Sequence, residues 1–495
     1  REFSRGGWPV DLRGMTEAEA RELIAERVRV LTIEKLVGDL TQLEPLLAAT
    51  GGNPKAIELT MGLLKYERRP LQQVVDDLYA ARGELFDDLF ARAWALLDEA
   101  ARRVLLVATF FPTSASSAAL SATADVQGYA FDRAVERLSD LALLDVQRED
   151  LAAAPRYTQH PLVRAFATVR LAEQPELERA SRKRWVDWYI SLTAQVGYCW
   201  DDLNRLGLLD PERDTIPAVV KWAHTQRQYD AVLKLVGKAH YYHFVRGLWD
   251  NMATLHLTAA DVAAELGNPA EELRMRVLHF QLLSRWGDTQ EAEECLQRIK
   301  TLSAGAKPRP SVLFLYHDAL GLYWRAKESI DNAQKMWQRA LKLARGDEHR
   351  EVTARSSIAT CIYERGRSMG NFEEVLKAKR RFLKLAKIAS SKHYQRLGIS
   401  IQAKIAAIEL DEERPDDASR RLITILEEAE QYQDRRAIAK IQRLLARLHS
   451  LRGDLPAAHA SLAEAIDLFE RLGMRRELAE ARAELARLEA MSDTA

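Results

Sequence analysis

The sequence has little cysteine and no long apolar run. Its three cysteines, Cys199, Cys295 and Cys361, lie far apart and form no CxxC pair, which argues against a disulfide framework and against a zinc site. No window approaches the ~18 uninterrupted apolar residues of a membrane-spanning helix, and no basic-then-apolar signal segment is present. We therefore expect a soluble protein in a reducing, cytoplasmic compartment, without membrane association.

The chain also has no net charge at pH 7 and lacks common enzyme motifs. Lys plus Arg number 72 and Asp plus Glu number 72, so no overall charge attracts the chain to nucleic acid or to an anionic membrane. Any basic binding surface must be local. The sequence contains no GxxxxGK[ST] phosphate loop, no HExxH pair and no GxSxG motif. These absences predict that the chain itself is not an enzyme and holds no cofactor or metal of its own.

What the sequence does have is length and a helical pattern. Its 495 residues, 47% hydrophobic and 29% charged, are enough for two to four globular domains or one repeat array. Beyond Leu12, Leu, Ala, Glu and Arg dominate, and turn residues recur at short intervals. Thr16 and Glu19 have capping-box spacing, which predicts the start of a helix. Because the chain starts at Arg1 without an initiator Met, we expect it to be part of a longer protein.

The first third of the chain predicts two small domains. Helical segments around a Gly-Gly-Asn-Pro turn indicate a helical domain within residues 1–80. Within residues 81–172, three helices precede two short extended segments, 144–147 and 156–159, and this order is typical of a winged helix. A helical linker is predicted for residues 173–215.

An internal repeat occupies the rest of the chain. Small residues recur at Ala292, Ala333, Val375, Ala418 and Ala458, at intervals of 41, 42, 43 and 40 residues, and a turn precedes each by about five residues. Such spacing predicts an array of helical hairpins over residues 216–490. The fold class is therefore mainly α, with a helical domain and a winged helix followed by an α-solenoid.

Two repeats resemble the tetratricopeptide repeat family. The small and large packing positions of that family are occupied in order by Leu320, Gly321, Trp324, Ala333, Trp337 and Ala340, and again by Leu445, Ala446, Ala458, Leu462 and Ala465. The repeat around Val375 departs from the pattern, because Lys379 stands where a large apolar residue is usual. The resemblance implies a solenoid whose concave face binds a ligand.

The first third resembles the helical and winged-helix domains of nucleotide-binding STAND regulators, the class that includes NB-ARC proteins. Residues 51–59, GGNPKAIEL, are similar to that family's Gly-x-Pro motif, and residues 157–163, YTQHPLV, are similar to its histidine motif. The resemblance implies that Pro54 packs on a nucleotide and that His160 holds the diphosphate of ADP. It also implies that Arg1 is the sensor arginine.

This resemblance extends to what a full-length protein contains. It implies that residues 1–80 hold the end of a nucleotide-binding domain together with the helical domain, and that the rest of the nucleotide-binding domain is missing from this chain. It also implies ADP or ATP with Mg²⁺ in the full-length protein and homo-oligomerisation on activation. Simpler roles stay open for the two motif residues. Pro54 can be a proline in the first turn of a helix, and His160 can cap local backbone.

A winged helix raises the alternative of DNA binding, and charge argues against it. Over residues 131–145, where a recognition helix is expected, Arg133 and Arg137 are outnumbered by four acidic residues. A net acidic helix is repelled by the phosphates of the DNA groove. We therefore predict no DNA readout by this domain.

His240 and His243 are spaced so that they can share a metal ion on one helix face. No third ligand is evident in the sequence, and aromatic-rich helices of this kind often line a solenoid groove. The sequence therefore predicts no metal site here.

The first helix of each hairpin is expected to line the concave face of the solenoid. The repeat register assigns Arg274, Asp318, Arg325, Arg367, Lys440, Arg443 and Arg447 to that face. Their excess of positive charge suits an acidic protein or small-molecule ligand, although a solvated face of mixed charge is the simpler interpretation. The leading hypothesis is a regulatory, ligand-sensing segment of a STAND NTPase. The alternatives are a winged-helix transcription regulator with an inducer-sensing repeat domain and a repeat scaffold without nucleotide coupling.

Overall fold

The computed structural model describes residues 14–38, 43–80, 85–148, 154–197, 199, 202–305 and 308–492. The chain divides into two compact units, Arg1–Trp188 and Tyr189–Ala495. Helices dominate both units, and the second unit is a solenoid of helical hairpins. The predicted fold class, mainly α with a repeat solenoid, is confirmed.

Unit 1 begins with a helical part, whose helices are α1 Glu17–Leu31, α2 Glu34–Val37, α3 Glu44–Thr50, α4 Pro54–Glu67 and α5 Leu71–Ala80. The predicted capping box starts α1, because Thr16 accepts from the Glu19 N–H and Glu19 accepts from the Thr16 N–H. The apolar faces of these helices enclose one core, in which Ile24, Ile57 and Met61 are fully buried.

The second part of unit 1 mixes helices with a small sheet, in the order α6 Leu85–Ala95, α7 Glu99–Ala108, β1 Ala115–Ser116, α8 Ser117–Ala124, α9 Gly128–Asp140, β2 Asp145–Gln147, β3 Arg156–Thr158 and α10 Pro161–Ala172. The three strands are antiparallel and lie in the order β1–β3–β2, with Tyr157 opposite both Ala115 and Val146. The expected extended segments are β2 and β3. Strand β1 was not foreseen.

A long helix, α11 Pro175–Val196, and a 3-10 helix, Leu203–Glu212, lie in the predicted linker. In unit 2 the Tyr189 hydroxyl contacts the Glu212 carboxylate, which is buried. This contact fixes the 3-10 helix to the start of the solenoid unit, because a buried carboxylate needs a hydrogen-bond donor.

The solenoid consists of α12 Thr215–Thr225, α13 Tyr229–Arg246, α14 Trp249–Glu265, α15 Pro269–Trp286, α16 Thr289–Gly305, α17 Pro310–Ala326, α18 Ile330–Leu343, α19 Glu348–Ser368, α20 Phe372–Ser391, α21 Gln395–Asp411, α22 Pro415–Gln431, α23 Arg435–Leu451, α24 Leu455–Arg471 and α25 Arg475–Ser492. We call α15, α17, α19, α21, α23 and α25 the inner helices, and α16, α18, α20, α22 and α24 the outer helices. Each outer helix follows an inner helix and packs against it.

Small residues let the two helices of a hairpin approach each other. A Cβ on Gly321 would lie 2.4 Å from the Trp337 indole, which is itself buried. The residues used to align the repeats are all buried, and Ala292 and Ala333 are fully so. The irregular repeat also fits, because Lys379 is buried with its ammonium on the Glu412 carboxylate. An ion pair therefore replaces the usual apolar contact there.

Candidate functional site

The loop that resembles the Gly-x-Pro motif is held rigidly in unit 1. The Asn53 side chain accepts from the N–H groups of Lys55 at 3.0 Å and Ala56 at 3.2 Å, and so caps α4. Pro54 occupies the first turn of that helix, where its missing N–H costs nothing. Gly52 has a φ of +68° and no room for a Cβ, which would lie 2.8 Å from the Met15 carbonyl oxygen.

His160 lies close to this loop. Its Nδ1 accepts from the Leu162 N–H at 3.3 Å and caps α10. Burial and the nearby Lys55 ammonium lower the pKa of His160 below its ordinary value, so the ring is neutral at pH 7. Because Nδ1 accepts, the proton of the neutral ring lies on Nε2, which is a donor.

Lys55 joins the two motifs and was missed by the sequence analysis. Its Nζ lies 2.7 Å from Glu58, 3.1 Å from Asp145 and 3.4 Å from the Ala142 carbonyl oxygen. The charge of Lys55 also acts on His160, so the loop that contains Pro54 and the histidine lie near each other in unit 1. The third predicted nucleotide residue, Arg1, lies outside the described residues.

Helix α9, the expected recognition helix, is covered at its C-terminal end. Asp140 accepts from the Lys65 Nζ at 2.5 Å and from the Tyr66 hydroxyl at 2.8 Å. A Cβ on Gly62 would lie 2.5 Å from the Asp140 carbonyl oxygen, so α4 packs directly against this end. Arg137 stacks over the Tyr66 ring at 5.3 Å. One of the helix's two arginines is therefore turned toward protein.

The solenoid closes on itself, which the sequence analysis did not foresee. The Trp286 Nε1–H donates to the Leu472 carbonyl oxygen at 2.8 Å, and Arg475 lies 2.8 Å from Asp288. The Arg476 Nη1 donates to the Arg325 carbonyl oxygen at 2.9 Å. These contacts, which we call the clasp, join residues up to 187 positions apart. The clasp thus joins α25 to α15 and α17, and we call the side of the inner helices that points away from the outer helices the interior of the solenoid.

The predicted concave-face residues do lie on the inner helices, and most are already partnered. Arg325 binds Glu364 at 2.8 Å, Arg443 binds Glu480 at 2.6 Å, and Arg447 binds Asp411 at 2.6 Å. Of the remaining members, Arg274 lies 2.9 Å from Glu271, Arg367 lies 3.7 Å from Asp411, and Lys440 lies 3.4 Å from Glu477. Asp318 accepts from the Trp337 Nε1–H at 3.0 Å. Their charges are therefore largely neutralised by acidic residues on neighbouring inner helices.

Three other inner-helix cations were missed, namely Arg285 on α15, Lys404 on α21 and Arg436 on α23. All three are half-buried. The Nε–H groups of Arg285 and Arg436 are buried and have no acceptor. Arg285 stacks over the Phe244 ring at 5.1 Å, and Arg396 stacks over the same ring at 4.4 Å. The repeat register could have assigned Lys404 and Arg436 to the inner helices, since both lie on the first helix of a hairpin.

The paired histidines on α13 point to packing. His240 Nδ1 lies 3.0 Å from His256 Nε2, and His243 Nδ1 lies 2.9 Å from the Ala239 carbonyl oxygen. Burial lowers the pKa of His240 to about 3 and that of His243 to about 4, so both rings are neutral. In the described ranges, no three His, Cys, Asp or Glu side chains are grouped so that they can hold a metal ion.

The outer helices carry a different set of cations. The outer cation row consists of exposed residues on and just after α18 and on α20, namely Lys335, Arg339, Lys342, Arg345, Lys377, Arg380, Arg381, Lys384 and Lys387. Part of this row lines an open groove of about 540 Å³ between α18 and α19. No helix in the described part of the chain is long and apolar enough to cross a membrane.

Comparison with known proteins gives one curated relative. The chain is 27% identical to the transcription activator GutR of Bacillus subtilis over 293 aligned residues, which cover 54% of this chain and 35% of GutR. The chain thus spans about a third of GutR's length. No protein-family model matches the chain.

Three solved structures are similar to parts of the chain. A STAND protein with a tetratricopeptide repeat sensor from Pyrococcus horikoshii aligns with 98% of this chain and 75% of its own, at 15% identity and a TM-score of 0.43. A Rap protein complexed with competence and sporulation factor covers 73% of this chain and 93% of its own, at 14% identity and a TM-score of 0.39. The apo form of RapI covers 54% and 72%, at 13% identity and a TM-score of 0.33.

Proposed function

We propose that this chain is the regulatory and ligand-sensing segment of a STAND-type signal-transduction protein. The observation that carries the proposal is the closure of the solenoid by the clasp. Because the clasp holds α25 to α15 and α17, a ligand on the inner helices either leaves these contacts in place or separates them. Binding is thereby linked to a change in shape, since a ligand favours whichever state it contacts better.

In this proposal, unit 1 retains ADP in the resting state. The neutral His160 ring supports the assignment, because the cap on Nδ1 leaves the Nε2 proton for an anionic oxygen. The capping role and the diphosphate role are therefore compatible. The full-length protein is proposed to supply a nucleotide-binding domain with Mg²⁺ and NTPase activity. Opening of the resting state is proposed to release ADP and allow homo-oligomerisation. The chain by itself is proposed to lack NTPase activity.

Two substitutions of His160 separate its roles in the full-length protein. His160→Ala removes both the cap and the donor, whereas His160→Asn keeps a side chain that caps helices well. We expect both variants to release a fluorescent ADP analogue faster than the parent and to raise basal output. Loss of the cap costs about 1 kcal/mol of folding stability in the alanine variant alone. Normal ADP release from both variants would reduce His160 to a capping residue.

The clasp is tested by signalling output. Trp286→Phe keeps an aromatic ring but removes the donor to the Leu472 carbonyl oxygen, so it should shift the full-length protein toward its active state. Trp94→Phe in unit 1 is a matched control outside the solenoid. Unchanged output from Trp286→Phe and from a double variant that also carries Arg475→Ala would contradict the coupling of closure to signalling.

A transcription regulator is the second candidate, and the likeness to GutR favours it. The acidic α9, whose C-terminal end packs on α4, argues against DNA readout through this helix. We propose that any output to transcription passes through another part of the protein. Fluorescence anisotropy with the chain at ~0.15 M salt tests this, because sequence-selective binding under those conditions would restore direct DNA recognition.

A further inference from the structure

The interior of the solenoid contains cations that form no ion pair. Arg285, Lys404 and Arg436 form no ion pair and no hydrogen bond among the residues that the structure describes. Lys404 has the Phe382 ring centroid 5.9 Å from its ammonium, and Arg285 has the Phe244 ring. The Nε–H groups of Arg285 and Arg436 are buried without an acceptor. Each is costly, because protein has replaced the water around the donor without replacing the water's hydrogen bond.

These three side chains face one region. Arg285 and Arg396 both stack on the Phe244 ring, and Arg396 binds Asp434 at 2.6 Å. Asp434 caps α23 only two residues before Arg436. Arg436 lies near both of the other cations, because its positive charge helps to lower the pKa of Arg285 and the pKa of Lys404. Residues distant in sequence thus converge between α15, α21 and α23.

The charges of this region do not balance. Arg325, Arg396 and Lys440 form ion pairs with Glu364, Asp434 and Glu477. This leaves three unpaired cations, Arg285, Lys404 and Arg436, and one further carboxylate, Asp318, which lies near Arg285. The excess is two positive charges. Burial and, to a smaller extent, the positive charge of Arg325 lower the pKa of Lys404 to about 8. The Lys404 ammonium is therefore still mostly charged at pH 7. A single compact dianion would neutralise the region.

We propose that Arg285, Lys404 and Arg436 bind a phosphate group, either free or as a phosphomonoester, in the interior of the solenoid. This inference rests on the proposed sensor function and names the chemistry of its ligand. A phosphate group carries close to two negative charges at pH 7. Two planar guanidinium groups and an ammonium supply donors from three helices to its oxygens. A carboxylate brings one charge and fewer acceptor oxygens.

Calorimetric titration of the chain tests the site with inorganic phosphate and, separately, with glycerol phosphate. We expect one binding event per chain. Arg285→Met, Lys404→Met and Arg436→Met should each weaken phosphate binding at least tenfold. Arg339→Met removes an equal charge from the exposed outer cation row and is the matched control, with binding unchanged. Tighter binding of glycerol phosphate identifies an organic phosphate as the ligand, and equal or weaker binding identifies free phosphate.

Thermal melting separates binding from damage to the fold. Without phosphate, the three variants should melt no lower than the parent, because each loses an uncompensated charge. Added phosphate should raise the Tm of the parent and of Arg339→Met but not that of the three variants. The assignment is overturned if phosphate does not bind, if the three variants bind as the parent does, if Arg339→Met loses binding equally, or if acetate binds as tightly.

The site and the sensor function fail in different ways. If phosphate does not bind but clasp variants still change the output of the full-length protein, the phosphate site is wrong and the sensor proposal stands. If phosphate binds to these three residues but clasp variants leave output unchanged, the sensor proposal is wrong. In that case the interior is an anion site without a signalling role.

Discussion

The inner and outer helices of the solenoid both carry Arg and Lys side chains, but these side chains have different surroundings on the two sets of helices. On the outer helices the nine members of the outer cation row are exposed and form no ion pair among the described residues. On the inner helices, cations such as Arg325 and Arg443 are half-buried and bind carboxylates one repeat away. Water satisfies the first group, and protein must satisfy the second.

This difference shows why counting charges does not locate a binding site. An unpaired cation in water keeps its hydration and carries little information. A donor that is buried among protein atoms, such as the Nε–H of Arg285 or Arg436, has lost its hydration, so the absence of an acceptor requires an explanation. The outer cation row contains more charges, but the unpaired inner cations Arg285, Lys404 and Arg436 are the stronger indication of a binding site.

The largest effect is expected where an inner ion pair is broken. Asp434 is 1% exposed, binds Arg396 and caps α23 by accepting from the Ala437 N–H. Asp434→Ala should lower the free energy of unfolding by about 3 to 5 kcal/mol, because it leaves a cation uncompensated. Asp331→Ala, which removes a largely exposed partner of Arg365, is the control and should change it by less than about 1 kcal/mol. Urea denaturation measures both, and similar losses would erase the contrast between the two faces.

Opening the clasp should expose the cations of the inner helices to water, as those of the outer helices already are. Gly473 has a φ of +66°, and a Cβ there would lie 2.9 Å from the Trp286 Nε1. Gly453 has a φ of +78° with nothing near a Cβ, so Gly453→Ala carries the backbone strain without the clash. We expect Gly473→Ala to lower the free energy of unfolding by about 1 to 2 kcal/mol more than Gly453→Ala does. Equal losses would mean that the clasp contributes no stability.

The pH dependence of the free energy of unfolding should reflect the titration of Lys404. Its pKa is about 8 in the folded chain, and 10.5 is the ordinary value. Between these values the unfolded chain binds more protons, so stability rises with pH and this contribution levels off above about pH 10.5. Lys404→Met should remove about 1 to 3 kcal/mol of that rise. Lys440, whose pKa is also lowered by burial, accounts for a separate part.

Two comparisons check this assignment. Lys384→Met on the outer helix α20 should leave the pH profile of the parent unchanged. Gly473→Ala should reduce the rise if an open clasp hydrates Lys404. Denaturation at several pH values between 7 and 10.5 gives all of these curves, and an unaltered rise in Lys404→Met would assign it to other groups.

The smallest effects are expected on the outer helices. Arg339→Met and Lys384→Met should change the free energy of unfolding by less than about 0.5 kcal/mol, as exposed substitutions usually do. Their main consequence should be a weaker attraction to polyanions at low salt. A loss above 1 kcal/mol would show that the outer cation row has structural partners after all.

Local features of this fold were predictable from the sequence. The capping box at Thr16, the start of α4 at Pro54 and the spacing of the helical hairpins all depend on residues close together in the chain. Each has a short signal that composition and spacing reveal. Strand β1 escaped because two residues of ordinary composition contain no strand signal.

Long-range features were not predictable in the same way. The clasp depends on Trp286 and Leu472, which are 186 residues apart, and no local pattern marks such a pair. The inner ion pairs had a usable signal that was overlooked. Arg325 and Glu364 are 39 residues apart, and Arg443 and Glu484 are 41 apart, close to one repeat period. Searching for opposite charges at that spacing would have paired them.

The clasp also affects how this repeat array unfolds. Linear arrays fray from their ends, because a terminal repeat has one neighbour instead of two and each interface contributes separately to stability. When the first and last hairpins bind each other, the array is joined into a ring and those weak ends gain a second interface. Amide exchange in unit 2 should then be uniform from α15 to α25, and this part of the chain should melt as a single cooperative unit.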